Sequence, residues 1–107
     1  MEKIKETNPN SQCYLFSLGK DYLQRFNDFL SYYENVLPSQ IQQGNLVLWH
    51  KENKSVTHSA IVEKTAPTIK EITVRSTFYG INGLYEYKIK ENPFGNLKVS
   101  FWRKKND

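Results

Sequence analysis

The chain has one cysteine, Cys13, and two histidines, His50 and His58. A thiol attacks carbonyl carbon only as thiolate, and its pKa falls at a helix N-terminus beside an imidazole. Cys13 follows Asn8-Pro9-Asn10-Ser11, a turn with N-cap residues, so the spacing predicts Cys13 in the first turn of a helix. There the helix dipole and unsatisfied N–H groups would favour a thiolate and could hold an oxyanion. His58 opens the apolar run Val56 to Val62, which puts it at a sheet end where it could face that helix. Together they would form a nucleophile and base for acyl transfer.

Plainer readings stand beside these. A lone cysteine also serves as a small buried apolar residue, and a histidine at a strand end can be a satisfied core group. His50 follows Trp49 and leads into Lys51-Glu52-Asn53-Lys54, which reads as a solvated turn. For a third residue to orient the imidazole, the strand Glu71 to Ser76 offers only Ser76, whose hydroxyl could accept the ring N–H. Arg75 has no acceptor. One cysteine and two separated histidines make no structural zinc set, and no phosphate-cradling or dinucleotide-binding glycine pattern occurs, so neither metal nor cofactor is expected.

These residues need elements to hold them. A first helix is expected from near Gln12 to Gly19. A second carries Tyr22, Leu23, Phe26, Phe29, Leu30 and Tyr33 at steps of three and four, ending by Pro38. Beyond it, Leu46 to Trp49, Val56 to Val62, Glu71 to Ser76, Leu84 to Ile89 and Leu97 to Trp102 are short runs rich in β-branched and aromatic residues, separated by turn formers. The expected fold class is α+β, with N-terminal helices packed on a mostly antiparallel sheet of about five strands. Its domain spans residues 11–103, between a flexible segment 1–10 and a flexible basic tail 104–107.

A length of 107 residues suits one domain. The 15 basic and 11 acidic residues give a net charge of +4, which favours anionic surfaces. A lone cysteine excludes an internal disulfide and fits a reducing compartment. With no apolar stretch long enough to span a bilayer and no secretory signal pattern, a cytoplasmic origin is expected, with export by a signal-independent system left open.

The stretches Gln12-Cys13-Tyr14-Leu15-Phe16-Ser17-Leu18-Gly19, Gln43-Gly44-Asn45-Leu46-Val47-Leu48-Trp49 and His58-Ser59-Ala60-Ile61-Val62-Glu63 resemble, in order and spacing, the NlpC/P60 and CHAP group of papain-like cysteine peptidases and amidases. Val74 to Gly80, Gly83 to Tyr87 and Phe101-Trp102-Arg103 are similar to a small-domain branch of that superfamily. The resemblance implies a papain-like fold and a thiol protease, amidase or deamidase with Cys13 as nucleophile and His58 as base, Ser76 standing at the orienting position. It also implies a peptide, peptidoglycan or protein substrate, and a secreted effector or toxin with a cognate inhibitor or immunity protein; nucleic acid is disfavoured as a partner. Asn45 stands where the group has aspartate, and Ser17 where it has a small alanine. The competing expectation is a non-catalytic binding module, an inactive relative or a sheet on which Phe78, Tyr79, Tyr85 and Tyr87 with Lys88, Lys90, Lys98 and Arg103 form a surface for nucleic acid or a protein partner.

Overall fold

Alternation of apolar and polar residues puts one face of a strand in a core, and runs that are apolar at every position must be covered on both faces. The computed structural model, which describes residues 1–6, 31–50, 56–78, 81–91 and 97–105, shows both cases. Seven strands are formed: β1 (Glu2–Lys5), β2 (Tyr33–Asn35), β3 (Leu46–His50), β4 (Val56–Lys64), β5 (Thr73–Phe78), β6 (Ile81–Lys88) and β7 (Lys98–Lys104). They make one sheet in the order β1-β6-β5-β4-β3-β7-β2, with every pairing antiparallel.

β5 shows the alternation plainly. Val74, Ser76 and Phe78 are buried, while Thr73, Arg75 and Thr77 are half-buried. β3 lies inside the sheet between β4 and β7, and its Leu46, Val47, Leu48 and Trp49 are all buried. Val47 and Trp49 join Ala60, Val62, Val74, Tyr87 and others in the larger core, while Leu46 and Leu48 lie with Val56 in a smaller cluster on the opposite face. Each such aliphatic side chain contributes roughly 1.5–3 kcal/mol on burial.

The turn into β3 is held by its own sequence. Gly44 has a φ of +92°, which a glycine adopts without the cost other residues bear. The Gln42 N–H donates to Asn45 Oδ1 at 2.7 Å, and the Gly44 N–H donates to the Val62 carbonyl at 2.9 Å. Asn45 is therefore a turn-capping residue, and it ties β3 to the middle of β4. At the other edge, Gly83 has a φ of +117°, and a Cβ there would come within 2.7 Å of the Lys3 side chain that crosses it from β1.

The architecture corrects the expected one. A papain-like α+β core of helices packed on about five strands is not what the described residues form; they form a seven-stranded antiparallel sheet, and α-helical backbone among them is confined to Ser31 and Tyr32. The helix expected from Gln12 and most of the next one lie outside the described residues. At Tyr33, where a helical face was expected to continue, the chain is extended and pairs with Lys104. The reason is tertiary: the outer edge of β7 has backbone groups to satisfy, and this outweighs a weak local helical preference. β1 was not expected at all, since its Glu-Lys-Ile-Lys sequence has no apolar run. It forms by pairing with β6, leaving its charged side chains at the edge. Among the described residues no helix is long and apolar enough to cross a membrane.

Candidate functional site

Two places in this sheet gather polar groups. The first surrounds His58. In β4, His58 faces the larger core; β3 brings Trp49 directly opposite, and β5 and β6 bring Ser76 and Tyr87 alongside. His58 Nε2 lies 3.0 Å from Ser76 Oγ and 2.9 Å from the Tyr87 hydroxyl, and the two hydroxyls are 2.7 Å apart. The ring stacks on Phe78 at 4.9 Å between centroids and 8° between planes, with Trp49 tilted against it at 5.2 Å. Only 2% of His58 is exposed, and 3% each of Ser76 and Tyr87.

Proton counting shows what this triangle can do. If Nε2 accepts, one hydroxyl donates to it and the other donates to that hydroxyl; if Nε2 carries the proton, it donates to the hydroxyls. In either case Nε2 is taken up by neighbours. Burial pushes the imidazole pKa down from 6.5 to about 4, so the ring is neutral at pH 7. Above the ring, the Trp49 N–H is buried and has no hydrogen-bond partner among the described residues, a cost of roughly 1–3 kcal/mol where such a group stays unpaired.

The expected site is thus corrected. Ser76 does meet His58, the contact proposed for an orienting residue, but on the same nitrogen as Tyr87 and inside a sealed core. Cys13 lies outside the described residues. A cysteine peptidase, amidase or deamidase would need His58 to take a proton from a thiol at a substrate-accessible surface, and a buried imidazole whose Nε2 is engaged by two hydroxyls is not poised to do so. The hydrolase assignment falls with that geometry, and the thiol-protease, toxin and effector roles attached to it fall too. The aromatic contact surface of the competing expectation is also changed, because Phe78 and Tyr87 are core residues. Among the described residues no cluster of histidine, cysteine, aspartate and glutamate could hold a metal ion.

Tyr87 is the partner that reading the sequence missed. The signal was its place in the alternating run Leu84 to Ile89, but only the β5–β6 register, with Val74 opposite Tyr87, aims its hydroxyl at Ser76.

The second place is the outer edge of β7. β2 covers this edge only at Trp102 to Lys104. One step further the Val36 N–H donates to the Phe101 carbonyl at 2.8 Å, and the chain then leaves into the 3₁₀ turn Pro38–Gln40. Since the Phe101 carbonyl points to this side, alternation points the N–H and C=O of Val99 the same way. Among the described residues no strand pairs with β7 there. Beside it lies a groove of about 570 Å³, floored by the buried Val36 and Phe101 and walled by the half-buried Ile69, Leu97 and Val99, with Pro38 at the rim. Its polar lining includes His50, Lys98 and Ser100.

In comparisons with known proteins, no family model, no curated protein and no solved structure matches the chain. The NlpC/P60 and CHAP resemblance therefore has no support beyond its short motifs.

Proposed function

We propose that this chain is a non-catalytic protein-binding domain that captures an extended polypeptide segment by strand addition to β7. The observation that carries this is the edge at Val99, which no strand among the described residues covers and which lies directly beside an apolar groove. An unpaired strand edge is a template for another strand, and main-chain hydrogen bonds give affinity while side-chain pockets select the sequence. The groove supplies those pockets. Ile69, Leu97 and Val99 pack against the larger core, so an aliphatic side chain inserted between them would extend that core and not merely lie on the surface. The capturing edge is rigid, because β3 pairs with β7 along Lys98 to Trp102 on the other side. Rigidity of the receiving strand lowers the ordering cost of binding.

The test is selection of binding peptides from a random displayed library, followed by hydrogen exchange of the full chain with and without a selected peptide. Strand addition predicts that the Val99 amide exchanges quickly in the free chain and is protected in the complex. It also predicts that Val99→Pro, which removes the outward N–H, abolishes binding. Selected peptides that protect no β7 amide, or that bind the Val99→Pro chain equally well, would overturn the proposal.

A further inference from the structure

The edge of β7 also indicates what kind of segment it takes, an inference that rests on the strand-addition reading. We infer that the captured segment is short and acidic, with aliphatic residues alternating with carboxylates: the aliphatic ones face the groove beside Val99 and the acidic ones face Lys98.

Length follows from the slot. Val36 closes one end by bonding to Phe101, so the stretch that no described strand covers runs from Leu97, just before β7, to Ser100. By alternation only Leu97 and Val99 direct backbone groups outward, which accommodates about four residues of a docked strand, or roughly 13 Å.

The pattern follows from the pleat. Residues of a docked strand share the two faces of the strand beside them. On one face Val99 and Phe101 lead into the groove with Val36 and Ile69, all apolar. On the other, Lys98 and Ser100 alternate with them, and β3 sets His50 opposite Lys98. An aliphatic side chain fits the first face and a carboxylate the second.

Charge selects the carboxylate. Lys98 is the charge on that second face, and no aspartate or glutamate lines the groove among the described residues. Arg103 is bound to Glu34 at 2.7 Å, while Lys98 is exposed and takes part in no ion pair among the described residues. A carboxylate across the strand pair would neutralise it, and like charge would be repelled. The same charge argues against a second copy of this chain as the occupant, since pairing two β7 edges would bring together two chains of net charge +4.

The experiment uses three fluorescein-labelled peptides of about eight residues, one alternating valine with glutamate, one valine with lysine, and one serine with glutamate, titrated into the full chain at low salt. Fluorescence anisotropy is expected to show the valine–glutamate peptide binding at least about tenfold more tightly than either of the others. In Lys98→Glu the preference between glutamate and lysine peptides is expected to reverse. Equal binding of the glutamate and lysine peptides, with the serine peptide weak, would overturn the acidic specificity and leave strand addition standing. Binding of none, while library-selected peptides still protect Val99, would overturn this pattern alone; if no peptide from any source protects Val99, strand addition itself fails. Sedimentation showing a dimer that Val99→Pro dissociates would give the edge to a second copy and overturn the acidic partner.

Discussion

The cluster at His58 and the edge of β7 hold the same kind of resource, polar groups beside apolar ones, in opposite states. At His58 three side chains satisfy one another and are closed from water by Trp49 and Phe78. At β7 the outward backbone of Val99 has no strand partner among the described residues, and an apolar groove lies next to it. The residue types that suggest chemistry sit in the first region, and the unsatisfied capacity to interact sits in the second. Whether a polar group is available, more than what it is, separates a structural device from a functional one.

The comparison breaks first if His58 is dispensable. His58→Ala removes a ring packed on both sides and should cost about 4 kcal/mol, read at pH 7 as a lower urea midpoint with an unchanged slope. A loss under about 1 kcal/mol would mean that the cluster is not part of the core.

Acid should produce the next largest effect. The folded imidazole titrates at about 4 and an unfolded one near 6.5, so between those values the unfolded chain binds the extra proton. The stability that depends on a neutral His58 is therefore complete above pH 6.5 and is lost as pH falls toward 4, by about 3 kcal/mol. His58→Phe should flatten the stability curve in that window. Glu71 acts separately. Hydrogen bonds from Lys90 and Lys88 hold its carboxyl down at about 2, so its contribution is present above 4.5 and lost only below that. Chemical denaturation at closely spaced pH values distinguishes the two windows.

Tyr87→Phe sharpens the picture of the triangle, because Ser76 and His58 can still bond to each other. The expected loss is about 1 kcal/mol, well below that of His58→Ala. The smallest effect on stability belongs to the edge. Val99→Pro removes an N–H that bonds to no described residue, so thermal unfolding should move by less than about 1 kcal/mol, even though peptide capture is lost.

Much of the sheet was legible before the fold was known. The five apolar runs from Leu46 to Trp102 fall on β3 to β7, because β-branched and aromatic residues between turn formers leave few other conformations competitive. Gly44-Asn45 are among the turn formers that separate those runs, and their hydrogen bonds hold the chain in its turn there. β1 and β2 were not legible, since neither Glu2–Lys5 nor Tyr33–Asn35 carries a pattern of its own; each is a strand only because a neighbour's edge is free to pair with it. The expected site was half legible. Ser76 was singled out because its hydroxyl could accept from the imidazole, and it does lie against His58. Tyr87 on the same nitrogen, and the burial of all three, depend on the register between β5 and β6 and on what covers that face.

By itself, then, the sequence determined the strand-forming runs, the turn at Gly44, the basic charge and the short supply of groups for metal or cofactor chemistry, because these depend on residue type and near neighbours. Only the tertiary structure decided that His58 is a neutral core residue and that Val99 lies on an edge no described strand covers. Both depend on which distant strand lies alongside, β5 and β6 in the first case and the early departure of β2 in the second, and pairings across so many residues leave no local mark in the chain.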